Sequence, residues 1–312
     1  VQVAGFANIV DQDVRWLQAA GFVNIVGGRT QGIQAAGFVN VSAGDVNAIQ
    51  AAGFTNITSG KVNGFQAAGF ININDGSVRG GQAGGFINLA QDVRGGQVAG
   101  FMNVADGDVR GAQVAGFMNV ARRVWGAQIG VVNVCDSITG VPIGLLSIVR
   151  HGYHRLELWG GETLHGNIAF KTGVPHFYNI FAFGTQAYVD GTEDPAWGFG
   201  YGVGSELPIA GRFVMNLDVI SYHLNEGSEW VTRLNSLTQL RIITGVRLGN
   251  GEPARRTALY FGPTFNVYVS QVEDPDRADT YGTGLAPYSH HTRRFRSGTL
   301  RMWTGFNVGV RI

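Results

Sequence analysis

GAQVAGFMNVA, residues 111–121, is the stretch on which the fold turns. Its residues fall into two alternating sets. One reads Gly111, Gln113, Ala115, Phe117, Asn119, Ala121; the other, Ala112, Val114, Gly116, Met118, Val120, is wholly apolar. The most polar version of the second set is Ile49, Ala51, Gly53, Thr55, Ile57. Alternation with period two over about ten residues predicts a strand with one dry and one mixed face. That length is also about what a tilted strand needs to cross a bilayer.

The same wording, GxQxAGFxN, is repeated from Val1 to about Val134. Gln recurs at Gln2, Gln18, Gln34, Gln50, Gln66, Gln82, Gln97, Gln113 and Gln128, in steps of 16 or 15. Asn follows at Asn8, Asn24, Asn40, Asn56, Asn72, Asn88, Asn103, Asn119 and Asn133, with a Phe two before it in eight of the nine copies. A fixed period means a repeated supersecondary unit. Identical units suit a wall better than an active site, which needs unlike groups converging on one point.

The links between copies come in two kinds. The odd ones are acidic: Asp11-Gln12-Asp13, Ala43-Gly44-Asp45, Asp75-Gly76-Ser77 and Asp106-Gly107-Asp108. The even ones read Gly27-Gly28-Arg29, Ser59-Gly60-Lys61, Gln91-Asp92 and Arg122-Arg123. This alternation predicts an up-and-down meander with turns at opposite ends. Further strands are expected near 140–149, 153–161, 166–174, 177–189, 197–208, 212–224, 234–248, 257–271 and 298–312. Longer links, among them Asp190 to Ala196, Asn225 to Arg233 and Val272 to Ser297, fall at one end. The last strand separates Leu300, Met302, Thr304, Phe306, Val308, Val310 and Ile312 from Arg301, Trp303, Gly305, Asn307, Gly309 and Arg311.

The fold expected is therefore all-β: an antiparallel up-and-down transmembrane β-barrel of about 18 strands over residues 1–312. Residues 1–135 would form its repeat-derived half and 136–312 an irregular half with longer extracellular loops. The rival is a β-solenoid over 1–135 followed by an eight-stranded barrel, in which Asp13, Arg29, Asp45 and Lys61 would stack with alternating sign. Antiparallel neighbours 16 residues apart would support the first and parallel ones the second.

Composition sets the outer bounds. Glycine is high at 48 residues, charge is low at 14%, and a net charge of +1 gives no reason to expect a nucleic-acid partner. The single cysteine, Cys135, excludes an internal disulfide framework and is expected to be an inert buried thiol. No apolar run has the length of a membrane helix. The chain opens inside a repeat, so a processed or omitted segment is expected ahead of it.

GAQIGVVNVCDSITGVPIGLLSIVRHGYHRLEL (126–158) and NIAFKTGVPHFYNIFAFG (167–184) resemble the C-terminal regions of Bacteroidota surface-repeat proteins. Some of those carry a secretin/TonB short N-terminal domain or a carboxypeptidase-regulatory-like domain ahead of the repeats. The resemblance covers most of residues 1–190. It implies a Gram-negative origin and an outer-membrane location, and it brings no catalytic motif.

On the barrel reading the lumen is lined by Gln34, Gln50, Gln66, Gln82, Gln97, Gln113, Asn40, Asn56, Asn72, Asn88, Asn103 and Asn119. Its irregular half adds Arg155, Glu157, Lys171, Asp218, Arg241, Arg247, Arg301 and Arg311, six basic groups to two acidic. An open lumen of that kind would mildly favour anions; paired across strands, the same charges would brace the wall. His151, His154 and Glu157 sit around a turn at a spacing that puts the two histidines on opposite faces, so no metal is expected. His290 and His291, with Arg293, Arg294 and Arg296, read as a solvated loop rather than a site for lipopolysaccharide phosphates. Ser221, His223 and Glu226 are the only local candidates for a barrel hydrolase. The alternating Gly198, Gly200, Gly202 and Gly204 lack the spacing of a phosphate loop and read as space left inside the wall. The function expected is a pore, translocation or docking channel of the outer membrane, with no enzyme chemistry, cofactor or metal. The alternatives are a membrane-anchored interaction protein with a plugged lumen and a lipid-modifying hydrolase. Expected partners are outer-membrane lipid or lipopolysaccharide, and a periplasmic plug or other subunits, with both termini periplasmic.

Overall fold

The computed structural model describes residues 1–186, 195–226, 230–248, 257–271, 285, 289–295 and 298–312. The chain forms two compact units, Val1–Gly152 and Tyr153–Ile312. All their regular elements are strands.

In the first unit the decisive phrase is not one strand. A coil is built from a seven-residue strand such as Val62–Ala68, a Gly69-Phe70 corner, and a four-residue strand such as Ile71–Asn74. Neighbours are parallel and in register with their own copies, Gln50 beside Gln66 and Asn56 beside Asn72. The 17 strands β1 (Gln2–Ala4) to β17 (Leu146–Val149) therefore make a parallel β-solenoid. This overturns the antiparallel up-and-down barrel of about 18 strands and the single unit spanning 1–312, and with them any porin-like bore.

The physical source of the misreading is the corner. It uses two residues, so period two runs through it unbroken and Phe falls in phase with Gln and Asn. The side chains nevertheless part: Gln34 and Asn40 are fully buried while Phe38 is 39% exposed. The phenylalanines stack outside, coil on coil, at ring separations such as 4.8 Å for Phe38 and Phe54. Glycine is required beside them, because a Cβ on Gly69 would lie 2.0 Å from the carbonyl oxygen of Gly53.

The alternating links also have a cause within a solenoid. Asp13 Oδ1 accepts the Arg29 N–H at 2.8 Å, Asp45 Oδ1 that of Lys61 at 2.8 Å, and Asp92 Oδ1 that of Asp108 at 2.7 Å. Coils stack about 4.8 Å apart, and like charges set directly opposite repel. From Asp13 to Lys61 acid alternates with base at the corner and relieves that repulsion, which gives a two-coil rhythm without any reversal of chain direction; Asp92 and Asp108, acid on acid, depart from it.

The second unit holds β18 (Tyr153–Gly161), β19 (Gly166–Val174), β20 (Phe177–Thr185), β21 (Ala196–Ala210), β22 (Phe213–Glu226), β23 (Asn235–Arg247), β24 (Ala258–Ser270), β25 (His291–Phe295) and β26 (Gly298–Arg311). All pairings here are antiparallel between neighbours in the order β18-β19-β20-β21-β22-β23-β24-β26, and β25 lies on β26. Glu157–Gly161 of β18 also pair with Asn307–Arg311 of β26, so the strand order is circular. Alternate residues face in and out. Leu158, Ile168, Phe181, Leu217, Ile242, Phe265 and Val308 are exposed, while Trp159, Tyr178, Ile220, Tyr260 and Trp303 are buried.

Candidate functional site

The inward face of the second unit gathers six ionisable side chains that are buried. Glu157 lies on β18, Lys171 on β19, Glu206 on β21, Asp218 on β22, Arg241 on β23 and Arg311 on β26. Lys171 Nζ stands 2.8 Å from both Glu157 Oε1 and Asp218 Oδ2. Arg311 donates from Nε to Glu157 Oε1 at 2.7 Å, and its Nη1 contacts Glu206 Oε2. Arg247, at the rim, reaches Glu206 Oε1 at 2.6 Å.

Phenols complete the shell around the carboxylates. Tyr178 donates to Asp218 at 2.7 Å, Tyr153 to Glu206 at 3.0 Å and Tyr260 to Glu157 at 3.3 Å. Arg241 is held differently. Its guanidinium lies 4.1 Å from the Trp159 ring centroid and 3.7 Å from both Glu157 and Asp218, and its Nη1 and Nη2 make no hydrogen bond. Three buried acids (Glu157, Glu206, Asp218) meet three buried bases (Lys171, Arg241, Arg311), so the cluster carries no net charge. Burial of ions is tolerated only under such pairing, because removing a charge from water costs several kcal/mol.

The alternating glycines of β21 make room for this shell. A Cβ on Gly204 would lie 2.2 Å from Asp218 Oδ1, and one on Gly200 would lie 2.8 Å from Tyr222 Cδ1. Glu206 was missed by the sequence reading, yet the signal was present. It is the next residue of the same parity after Gly198, Gly200, Gly202 and Gly204. Its inclusion changes the inward count from six basic and two acidic groups to six and three, and Arg247 and Arg311 both turn to it. Arg155 and Arg301 are half-buried, Arg155 resting over Tyr153 at 5.1 Å.

The amide columns line no lumen. They fill the solenoid interior. Gln34, Gln50, Gln66, Gln82, Gln97 and Gln113 each pass one hydrogen bond to the preceding glutamine, at 2.7–3.0 Å. Asn40, Asn56, Asn72, Asn88, Asn103 and Asn119 each donate to the next asparagine at 2.8–3.0 Å and to a carbonyl near the end of the next long strand, such as Ala51. A shallow groove of about 930 Å³ runs outside along the Ala and Gly columns, for example Ala51, Ala52 and Gly53.

The other candidates stay apart. His151 Nδ1 contacts the Asp136 carbonyl at 3.1 Å and His154 Nδ1 contacts Thr172 at 3.2 Å, while Glu157 is committed to the buried cluster. Among the described residues no set of three or more His, Cys, Asp or Glu is placed to hold a metal. Ser221 bonds to Ser236 and Thr238, and His223 Nε2 to the Val231 carbonyl, so the two do not pair with each other. The Glu226 side chain and Arg296 lie outside the described residues. His290 bonds to Thr304 on the exposed hairpin of β25 and β26. Cys135 is a buried free thiol, and burial pushes its pKa up to about 12. No family model, curated protein or solved structure matches the chain.

Proposed function

We propose that the protein is a membrane-anchored interaction protein, in which the cyclic sheet of the second unit is the anchor and the solenoid the part that meets a partner. The observation that carries this reading is the division of the sheet's two faces. Large apolar side chains are exposed on the outside of successive strands, and the described charges on β18 to β24 and β26 lie on the inward face; the exposed Arg293 and Arg294 belong to the appended β25. Lipid outside and a satisfied polar interior would demand this distribution. Strands of 9 to 15 residues are long enough for the crossing.

An anchor is preferred to a conduit because the six inward charges at the centre are buried and paired, and their formal charges cancel. The short turns, such as Pro175-His176 and Gly211-Arg212, share an end with Tyr153 and Ile312. In outer-membrane proteins the short-turn end faces the periplasm. With the Gram-negative origin that the repeat wording implies, the reading is an outer-membrane anchor whose chain enters from the periplasmic side, with lipid or lipopolysaccharide against its apolar face. No reaction chemistry is assigned to it.

Reconstitution tests this directly. Full-length protein refolded into phosphatidylethanolamine–phosphatidylglycerol vesicles is expected to stay with the lipid after a high-pH carbonate wash and to give no single-channel conductance. Folded, monodisperse protein in buffer without detergent would overturn the anchor. Steady conductance steps would replace it with a pore.

A further inference from the structure

The long strand of each solenoid coil carries one outward column that changes its chemistry midway. After Arg15 in the first of these coils it reads Gln31, Asn47 and Asn63, parallel neighbours in register, and Asn63 Nδ2 donates to Asn47 Oδ1 at 2.9 Å. From the next coil it becomes Arg79, Arg94 and Arg110, again directly opposite one another. All three are exposed, and among the described residues no carboxylate forms an ion pair with any of them. Arg110 rests on the indole of Trp125, the next member of the column, at 5.2 Å.

Three guanidinium groups about one strand spacing apart repel one another, and an amide in their place would form the ladder seen one coil earlier. The acids nearby do not relieve this. A cleft of about 140 Å³ brings Lys61, Arg79, Arg94 and Arg110 against Asp92 and Asp108. Asp108 is already held by Arg123 at 2.7 Å and faces Arg122, and Asp92 Oδ1 accepts the Asp108 N–H. Beside the arginines the strand continues as bare glycine, Gly80-Gly81 and Gly95-Gly96, where the earlier coils carry exposed Ile49 and Phe65. The result is a cationic row beside a glycine floor, bounded by the Phe65 ring at Gly81 and by Ala112 in the third coil.

We propose that this row binds a linear acidic polysaccharide, one carboxylate or sulfate to each guanidinium, with the sugar rings lying over the glycine floor. Arg pairs with such planar or trigonal anions through two parallel N–H donors. A polymer that repeats its charge once per sugar ring matches a protein that repeats its charge once per coil. A nucleic acid suits the row less well, because single strands are held on successive aromatic platforms and this column has one indole, at its end. The proposal stands on the solenoid alone and does not depend on the membrane reading.

The test uses the full chain, with polygalacturonate and dextran sulfate as probes, neutral dextran as a blank and single-stranded DNA as the competing class. Wild type is expected to bind at least one acidic polysaccharide, more weakly as salt is raised, and not the blank. R79Q/R94Q/R110Q, which extends the amide ladder, is expected to keep its circular dichroism and melting temperature and to lose affinity at least tenfold. R150Q, an exposed arginine elsewhere on the solenoid, should bind as wild type. If the triple variant does not fold, R94Q alone should weaken binding at least threefold. Absence of binding at low salt, equal binding by the ladder variant, equal loss in R150Q, or tighter binding of DNA would each overturn the proposal.

Discussion

Asn72→Asp probes what the asparagine column contributes, because it keeps the shape and replaces the donating amide NH2 with an oxygen. Asn72 Nδ2 donates to the Ala83 carbonyl and to Asn88 Oδ1, each at 2.8 Å, and Asn72 Oδ1 accepts from Asn56 Nδ2 at 2.8 Å. A carboxylate retains the accepting role and loses both donations. Two bonds of about 1 kcal/mol each disappear, and an unsatisfied buried acceptor costs about 1–3 kcal/mol more. The charge faces two oxygens in a fully buried position. The sum is about 4 kcal/mol or more at neutral pH. Asn72→Ala loses all three bonds but introduces no charge and should cost about 3 kcal/mol, so the closer isostere is the worse substitution. Burial raises the pKa of the new carboxyl in the folded state. Its penalty is therefore smallest below the unfolded value of about 3.9 and grows as pH rises through the folded value. Hydrogen exchange read by mass spectrometry on peptides covering 62–99 should show amides opening about a thousandfold more readily at pH 7, with no change in peptides of the second unit. An Asn72→Asp variant as well protected as Asn72→Ala, or within tenfold of wild type, would refute the reasoning.

Three further outcomes follow from the same structure. Gly69→Ala places a Cβ 2.0 Å from a backbone oxygen that cannot swing away, whereas Gly5→Ala, in the first coil, meets nothing within 4 Å. Denaturant midpoints should fall by the equivalent of about 3 kcal/mol or more for the first and stay within about 0.5 kcal/mol for the second. Cys135 has its thiol pushed up to about 12 by burial, so a maleimide should leave the folded protein unlabelled at pH 8 and label it stoichiometrically in guanidinium. The hydrogen bond and charge of Arg123 hold the Asp108 carboxyl below its ordinary value. The contribution of that contact is present above the unfolded pKa and is lost as pH falls through the depressed one. Wild type and Asp108→Asn should thus differ slightly at pH 7 and converge in unfolding midpoint in strong acid.

The second unit was readable to within a few residues where strands alternate without interruption. The expected strands at 153–161 and 166–174 coincide with β18 and β19, and the last at 298–312 with β26. The first unit misled for a local reason. Gly-Phe corners preserve the parity of the pattern while turning the chain, so alternation alone does not distinguish one ten-residue strand from two shorter ones. Hydrogen bonding could have distinguished them: Gln and Asn at fixed positions in every copy make sense as parallel columns, where each amide both donates and accepts. In the buried cluster the basic members were found by parity and Glu206 was not, because the strand carrying it was read for its glycines. What no sequence pattern conveys is which charges meet. Glu157 and Asp218 are 61 positions apart, and it is Lys171, from a third strand, that brings both within reach.

The corner column of acids and bases limits how such a chain can lengthen. Asp13, Arg29, Asp45 and Lys61 follow one another with alternating sign, and each carboxylate is used by the coil above it. Duplicating one coil within this stretch would set acid on acid or base on base. Duplicating two adjacent coils would leave every neighbour with the sign it had before. Within Asp13 to Lys61 the step that preserves the corner charges is therefore the pair of coils, whereas farther on Asp108 follows Asp92 and the alternation ends.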